Sequence, residues 1–116
     1  MKIQSNKSND MANKLKMLGT TEAKKGNFDM AIKYYREALE INQKGEGKGS
    51  VKHAKTLNNL GNAYKNKSNF DMAIKCYREA LEIYQKGELN NLGNASYDKS
   101  NFDMAIKYYR EALEIY

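Results

Sequence analysis

Apolar and aromatic residues recur in steps of three and four at Phe28, Ala31, Ile32, Tyr35, Ala38 and Leu39, with charged and polar residues between them. That spacing gathers one apolar stripe along an α-helix. The pattern then returns almost letter for letter. Segment 27–41 reads Asn-Phe-Asp-Met-Ala-Ile-Lys-Tyr-Tyr-Arg-Glu-Ala-Leu-Glu-Ile; it recurs at 69–83 with Cys76 for the first Tyr, and unchanged at 101–115. Asn27, Asn69 and Asn101 stand just before each run as N-caps, and Asp29, Asp71 and Asp103 fall in the first turn, where the helix dipole favours a carboxylate. Lys44-Gly45 and Lys86-Gly87 read as helix ends, a cation in the last turn followed by a residue free to turn left-handed.

A second, looser repeat precedes each copy. Leu15, Leu18 and Gly19, then Leu57, Leu60 and Gly61, then Leu89, Leu92 and Gly93 share one spacing, with the leucines three apart on a helix face. The Gly lets a neighbouring helix come close, at some cost in helix propensity. The unit is therefore two helices, A and B, and a repeated unit must bury its stripe against the next one. Six helices are expected, near 10–25, 28–44, 51–67, 70–86, 88–99 and 102–116. Residues 1–9 read as a flexible polar lead, and the units as about 10–50, 51–87 and 88–116.

The unit length is uneven. Gly19 to Gly61 is 42 residues and Gly61 to Gly93 only 32, so the second junction lacks the equivalent of 47–56. Two readings follow. In one, the chain turns tightly at Gly87 into a shortened third helix A, and this is the expected one, since helix connections of a few residues are ordinary. In the other, helix B of the second unit runs on through Gly87, because one Gly inside a helix costs only about 1 kcal/mol. The third unit then could not fold back on its neighbour and would seek another chain.

At this point the sequence resembles the tetratricopeptide repeat family, whose pattern is a large apolar residue, Leu-Gly, an aromatic, and later Ala, an aromatic and Ala. Leu57, Leu60, Gly61, Tyr64, Ala73, Tyr77 and Ala80 carry it in the middle unit. The first unit has Leu15, Leu18, Gly19, Ala31, Tyr35 and Ala38, but Glu22 at the aromatic position. The third has Leu89, Leu92, Gly93, Ala105, Tyr109 and Ala112, with Ser96 there, and Gln43 and Gln85 replace the family's closing Pro. The 42-residue spacing is similar to that of kinesin light chains and Leu-Gly-Asn adaptors. The resemblance implies an all-α, right-handed α-solenoid of three helix-turn-helix units, whose helices A line a concave face that receives peptides. By position Asn59 and Asn91 match the family's Asn ladder, with Asn62 and Asn94 beside them; an Asn side chain can both donate to and accept from a ligand's peptide group. Lys16 and Asn59 match two members of the family's carboxylate clamp, whose remaining positions hold Thr20, Gly87 and Asn91.

Charge adds a location for binding. Each copy of the 27–41 segment carries a net −1, so the rest of the +6 chain carries +9, and that excess is lysine. Lys16, Lys24, Lys52 and Lys55 are among those on or beside helices A, which points to an acidic peptide partner and affinity that falls with salt. The three Arg all lie in helices B, so bidentate base reading of nucleic acid is not expected. One His and one Cys leave no multi-histidine or paired-thiol metal site, so no cofactor, metal or enzymatic role is expected. His53 reads as a solvated surface residue and Cys76 as a packing or surface variant of the Tyr position. Tyr35, Tyr77 and Tyr109 are expected in the core, and Tyr34, Tyr84 and Tyr108 at unit junctions or on the surface. A lone Cys with six Met fits a reducing cytoplasm. The functional expectation is a non-enzymatic scaffold or adaptor that holds a peptide in its groove, with no membrane span. The alternatives are a self-associating module, domain-swapped at Gly87 or open at its last helix, and a consensus-like scaffold with no specific ligand.

Overall fold

The protein is described by a computed structural model over residues 2–44, 51–90 and 99–115, with side-chain surroundings over 10–42, 52–86 and 103–114. Its helices in order are α1 (Lys2–Lys24), α2 (Phe28–Lys44), α3 (Val51–Asn66), α4 (Phe70–Asn90) and α5 (Lys99–Ile115). No strand occurs among the described residues. Helix α1 starts at Lys2, well ahead of the expected position near residue 10.

α1 with α2, and α3 with α4, form two hairpins closed by the same turn. Gly26 (φ 85°) and Ser68 (φ 65°) take the left-handed conformation. The following Asn27 and Asn69 N–H groups then donate to the Glu22 and Tyr64 carbonyls, both at 2.9 Å, which satisfies helix-end acceptors. Asn69 also caps α4, its Oδ1 accepting the Met72 N–H at 3.4 Å, whereas the Asn27 side chain donates to Glu22 Oε1 at 2.9 Å instead.

Inside each hairpin a ring meets a glycine. A Cβ added at Gly19 would lie 2.7 Å from the Tyr35 ring, and one at Gly61 would lie 2.6 Å from the Tyr77 ring. Both rings are buried, along with Ala31, Ala38, Ala73 and Ala80 on the same helices. Small residues on this stripe let the axes approach while the ring fills the space left by the glycine.

The third copy behaves differently. α4 continues through Gly87 to Asn90, so the tight turn expected at Gly87 is not formed. With the ten intervening residues absent from the sequence, only one Gly remains among helix formers, and its cost of about 1 kcal/mol does not stop propagation. Yet the expected consequence of that continuity does not follow. α5 folds back within the chain: it packs along α4 and touches α3, as α3 packs along α2 and touches α1. Tyr108 stacks on Tyr77 with ring centroids 5.7 Å apart, and Lys65 Nζ lies 3.9 Å from Glu111 Oε2. The backbones of α2 and α4 do not come close to each other among the described residues. α5 carries the sequence of a helix B but occupies the slot of a helix A. It also begins at Lys99, which puts the expected cap Asn101 inside the helix. Of the helix expected at 88–99, residues 88–90 belong to α4 and 91–98 lie outside the described residues.

α3 is enclosed by the other helices, which explains a second correction. His53, expected at the surface, is buried, as are Thr56 and Asn58. A central helix is covered on more than one side, so its polar positions go inside with its apolar ones. Tyr84, expected at a junction or surface, is likewise in the core.

Candidate functional site

Because α5 fills the third A slot, α1, α3 and α5 together wall one face. A pocket of about 170 Å³ there is lined by Lys16 from α1, Lys55, Asn58 and Asn59 from α3, and Met104 and Tyr108 from α5, with Tyr84 of α4 behind. Beside it a hollow of about 300 Å³ is lined by residues that include Thr20, Lys24, Phe28, Asn59, Asn62 and Asn66. Asn59 borders both and is half-buried. It is the centre of the face.

The electrostatics favour an anion. Lys16 is half-buried, and its pKa is lowered first by that burial and then by the like charges of Lys55 and Lys52. A negative group arriving beside Lys16 would offset that disfavoured charge. Asn58 contributes a different feature: it is 7% exposed, and its Oδ1 has no hydrogen-bond partner.

The residue after each hairpin glycine has a structural task. Thr20 Oγ1 donates to the Lys16 carbonyl at 3.0 Å, so the Tyr35 hydroxyl, also 3.0 Å away, donates to Thr20 Oγ1. The Tyr77 hydroxyl donates to Asn62 Oδ1 in the same place of the second hairpin. Burial raises the pKa of both hydroxyls, most strongly for Tyr77, where Tyr108 adds to it. These bonds lock the rings against Gly19 and Gly61.

Of the residues singled out from sequence, Lys16, Lys55 and Asn59 come together in one pocket. Asn62 lies in the neighbouring hollow with its carbonyl engaged by Tyr77. Asn91 and Asn94 lie outside the described residues. Met104 and Tyr108 were not foreseen as groove residues, and nothing in their own segment could have signalled it, since Tyr34 and Met30 occupy the same positions elsewhere. Tyr84 has a weak signal: it stands where the first copy has the polar Asn42.

A separate cleft of about 250 Å³ opens where α2 and α4 stay apart, lined by residues that include Arg36, Leu39, Leu60, Met72, Lys75 and Cys76. Burial, and secondarily the charge of Glu79, pushes the Cys76 thiol up to about 12. It stays protonated near neutral pH, a packing residue and a poor nucleophile. No helix among the described residues is long and apolar enough to cross a membrane.

Two family models, both described as tetratricopeptide repeat, match the chain, one over residues 10–86 and the other over 88–116. No curated protein matches it. With paired helices, the ring-on-glycine contact in both hairpins and a family match over most of its length, the chain belongs to the tetratricopeptide repeat family, whose repeats mediate protein–protein interaction.

Proposed function

We propose that the face made by α1, α3 and α5 binds an acidic segment of a partner protein, and that the chain serves as a non-enzymatic scaffold or adaptor in the cytoplasm. The observation that carries this reading is the convergence of Lys16 and Lys55 with Asn59 in one pocket, with the charge of Lys52 also acting on Lys16. The lysines attract the segment, and Asn59, with a donor and an acceptor on one amide, pairs with its backbone. Lys16 and Lys55 take the part of a carboxylate-holding pair, with Met104 and Tyr108 as an apolar floor. The right-handed coil of the family brings successive A-slot helices to the concave side. The lengthened first unit fits the kinesin light chain type of repeat. Asn91 and Asn94 extend the ladder in this reading.

Fluorescence anisotropy with labelled acidic, neutral and basic peptides tests it. The acidic peptide should bind, weaken as salt is raised, and weaken again in Lys16→Ala/Lys55→Ala. Asn59→Ala should lower affinity about fivefold, the size of one net hydrogen bond. Equal binding of the basic peptide removes the proposal.

Self-association is a second reading, favoured by apolar residues left on the two outer helices. Leu113 on α5 is 48% exposed, and Met17 and Leu18 on α1 are 68% and 46% exposed. Since α5 packs within its own chain, edge-to-edge contact between copies replaces domain swapping as the mode. Sedimentation equilibrium decides: mass rising with concentration and reset by Leu113→Glu supports it, and a constant monomer mass ends it.

A further inference from the structure

The cleft of about 250 Å³ between α2 and α4 lies away from the lysine-lined face. Its floor on α3, made by Leu57, Leu60 and Tyr64, is half a helical turn round from Lys55, Asn59 and Asn62. Leu39 of α2 and Cys76 of α4 complete the floor, and these five residues keep 4–7% of their surface accessible. Met72, Lys75, Cys76 and Glu79 share one face of α4, across the cleft from Arg36, Leu39 and Glu40 of α2. The first and third copies of the segment have Tyr34 and Tyr108 in the place of Cys76. A ring at position 76 would project into the cleft, and the small thiol leaves that space open. An apolar cavity of about 150 Å³ already takes benzene, so there is room for one aromatic ring.

The rim is charged but balanced. Arg36 and Lys75 face Glu40 and Glu79, two cations with two anions. The charges of Glu79, Lys75 and Arg36 all act on the Cys76 thiol, so they surround the space that a ring would take. Such a rim gives a net-charged group no preference, yet it offers acceptors and donors together. A peptide backbone needs both, for its N–H and its C=O. A ring entering from outside brings its backbone to this rim and its far edge to the apolar floor. We propose that the cleft is a second interaction site, which takes a phenylalanine side chain from an uncharged segment of a partner protein. Leu39, Leu57 and Leu60 hold the ring, the Met72 thioether packs against its edge, and the rim holds the flanking peptide groups. The site does not depend on the acidic-segment reading, since no residue lines both the cleft and the pockets of the lysine face.

The test is an NMR titration of the full chain with three probes. The blocked peptide acetyl-Gly-Ser-Phe-Ser-Gly-amide is uncharged and carries the ring. Its counterpart with alanine for phenylalanine lacks the ring, and toluene lacks the backbone. The phenylalanine peptide should shift the methyl resonances of Leu39, Leu57, Leu60 and Met72. It should bind about tenfold more tightly than the alanine peptide, the effect of burying one ring. Cys76→Tyr restores the residue of the other two copies and should abolish those shifts by filling the cleft from within. If Cys76→Tyr does not fold, the two peptides on the unaltered chain decide by themselves. Equal binding of the two peptides overturns the proposal, as does phenylalanine binding that survives in a folded Cys76→Tyr. Toluene binding more tightly than the phenylalanine peptide overturns it too, by making the cleft a site for small apolar molecules. Shifts confined to Lys16, Lys55 and Asn59 would put the ring in the groove, ending the cleft site and leaving the groove reading to its own test.

Discussion

α4 and α5 begin from nearly the same fifteen residues and end in different surroundings. In α4, as in α2, the second tyrosine of the segment presses on a glycine of the preceding helix, with its hydroxyl tethered by the residue after that glycine. In α5 the equivalent Tyr109 is only half-buried, and the first tyrosine, Tyr108, takes the contact by stacking on Tyr77. Ala105 and Ala112 are fully buried, so α5 uses its alanine edge to approach α4, yet Leu113 stands 48% exposed where Leu39 is buried. A helix with two usable apolar edges docks by whichever one its neighbours leave free. The segment specifies a helix and a stripe; the slot is specified by what precedes it.

The largest test of this contrast is a pair of truncations. Tyr77→Ala removes a ring with no exposure and should cost about 3–5 kcal/mol in urea unfolding. Tyr109→Ala removes a half-buried ring and should cost about 1–2 kcal/mol. Equal losses would mean that α5 shares the environment of α4 after all.

Glycine substitution probes the same contact from the other side. An alanine Cβ at Gly61 would fall 2.6 Å from the Tyr77 ring, which its hydroxyl bond to Asn62 keeps from swinging away. Overpacking of about 1–3 kcal/mol, less the propensity gain of about 1 kcal/mol, leaves a net loss of about 0–2 kcal/mol. Gly19→Ala should match it, because Tyr35 is tethered to Thr20 in the same way. A gain in stability in either variant would show that the rings can yield.

The two hairpins were legible from periodicity and glycine position because their causes are local. Phe28–Lys44 matches the expected 28–44, since the first-turn Asp29 and the apolar stripe both lie within the segment. The placement of α5 was not legible. It depends on the missing equivalent of 47–56, which acts by leaving Gly87 inside a helix. The burial of His53 was hidden for a related reason: enclosure of α3 is a property of the packed array, and a polar stretch carries no sign of it. At the groove, Lys16, Lys55 and Asn59 could be found by alignment of units, but Met104 and Tyr108 join them only through the docking of α5.

Alkaline pH should separate the two regions by a smaller margin. Burial holds the Cys76 thiol near 12 and raises Tyr77 as well, so both are kept neutral in the folded chain. A group whose folded value is raised lends its full stability below its ordinary value, about 8.5 for Cys and 10 for Tyr. That stability is lost as pH rises from there through the folded value. The urea midpoint should therefore hold to about pH 8 and fall steadily above it, at up to about 1.4 kcal/mol per pH unit for each group. Cys76→Ala should flatten the first part of the fall, and a flat profile in the unaltered chain would contradict the burial at the α3–α4 hairpin.

The smallest effect distinguishes the hairpins from each other. Both turns need a left-handed residue, and both make the same 2.9 Å closing bond, but the first supplies Gly26 and the second Ser68. A Cβ in this conformation is strained by about 1–2 kcal/mol, although glycine in exchange loses more freedom on folding. Ser68→Gly should therefore stabilise the chain by about 0.5–1 kcal/mol. The reverse change, Gly26→Ser, should cost a similar amount, with open space around Gly26 leaving conformation as the only cause. Since neither side chain touches the groove pocket lined by Lys16 and Asn58, peptide affinity should be unchanged in both variants. A shift in affinity would mean that the hairpin turns set the angle between α1 and α3, and with it the separation of the lysines.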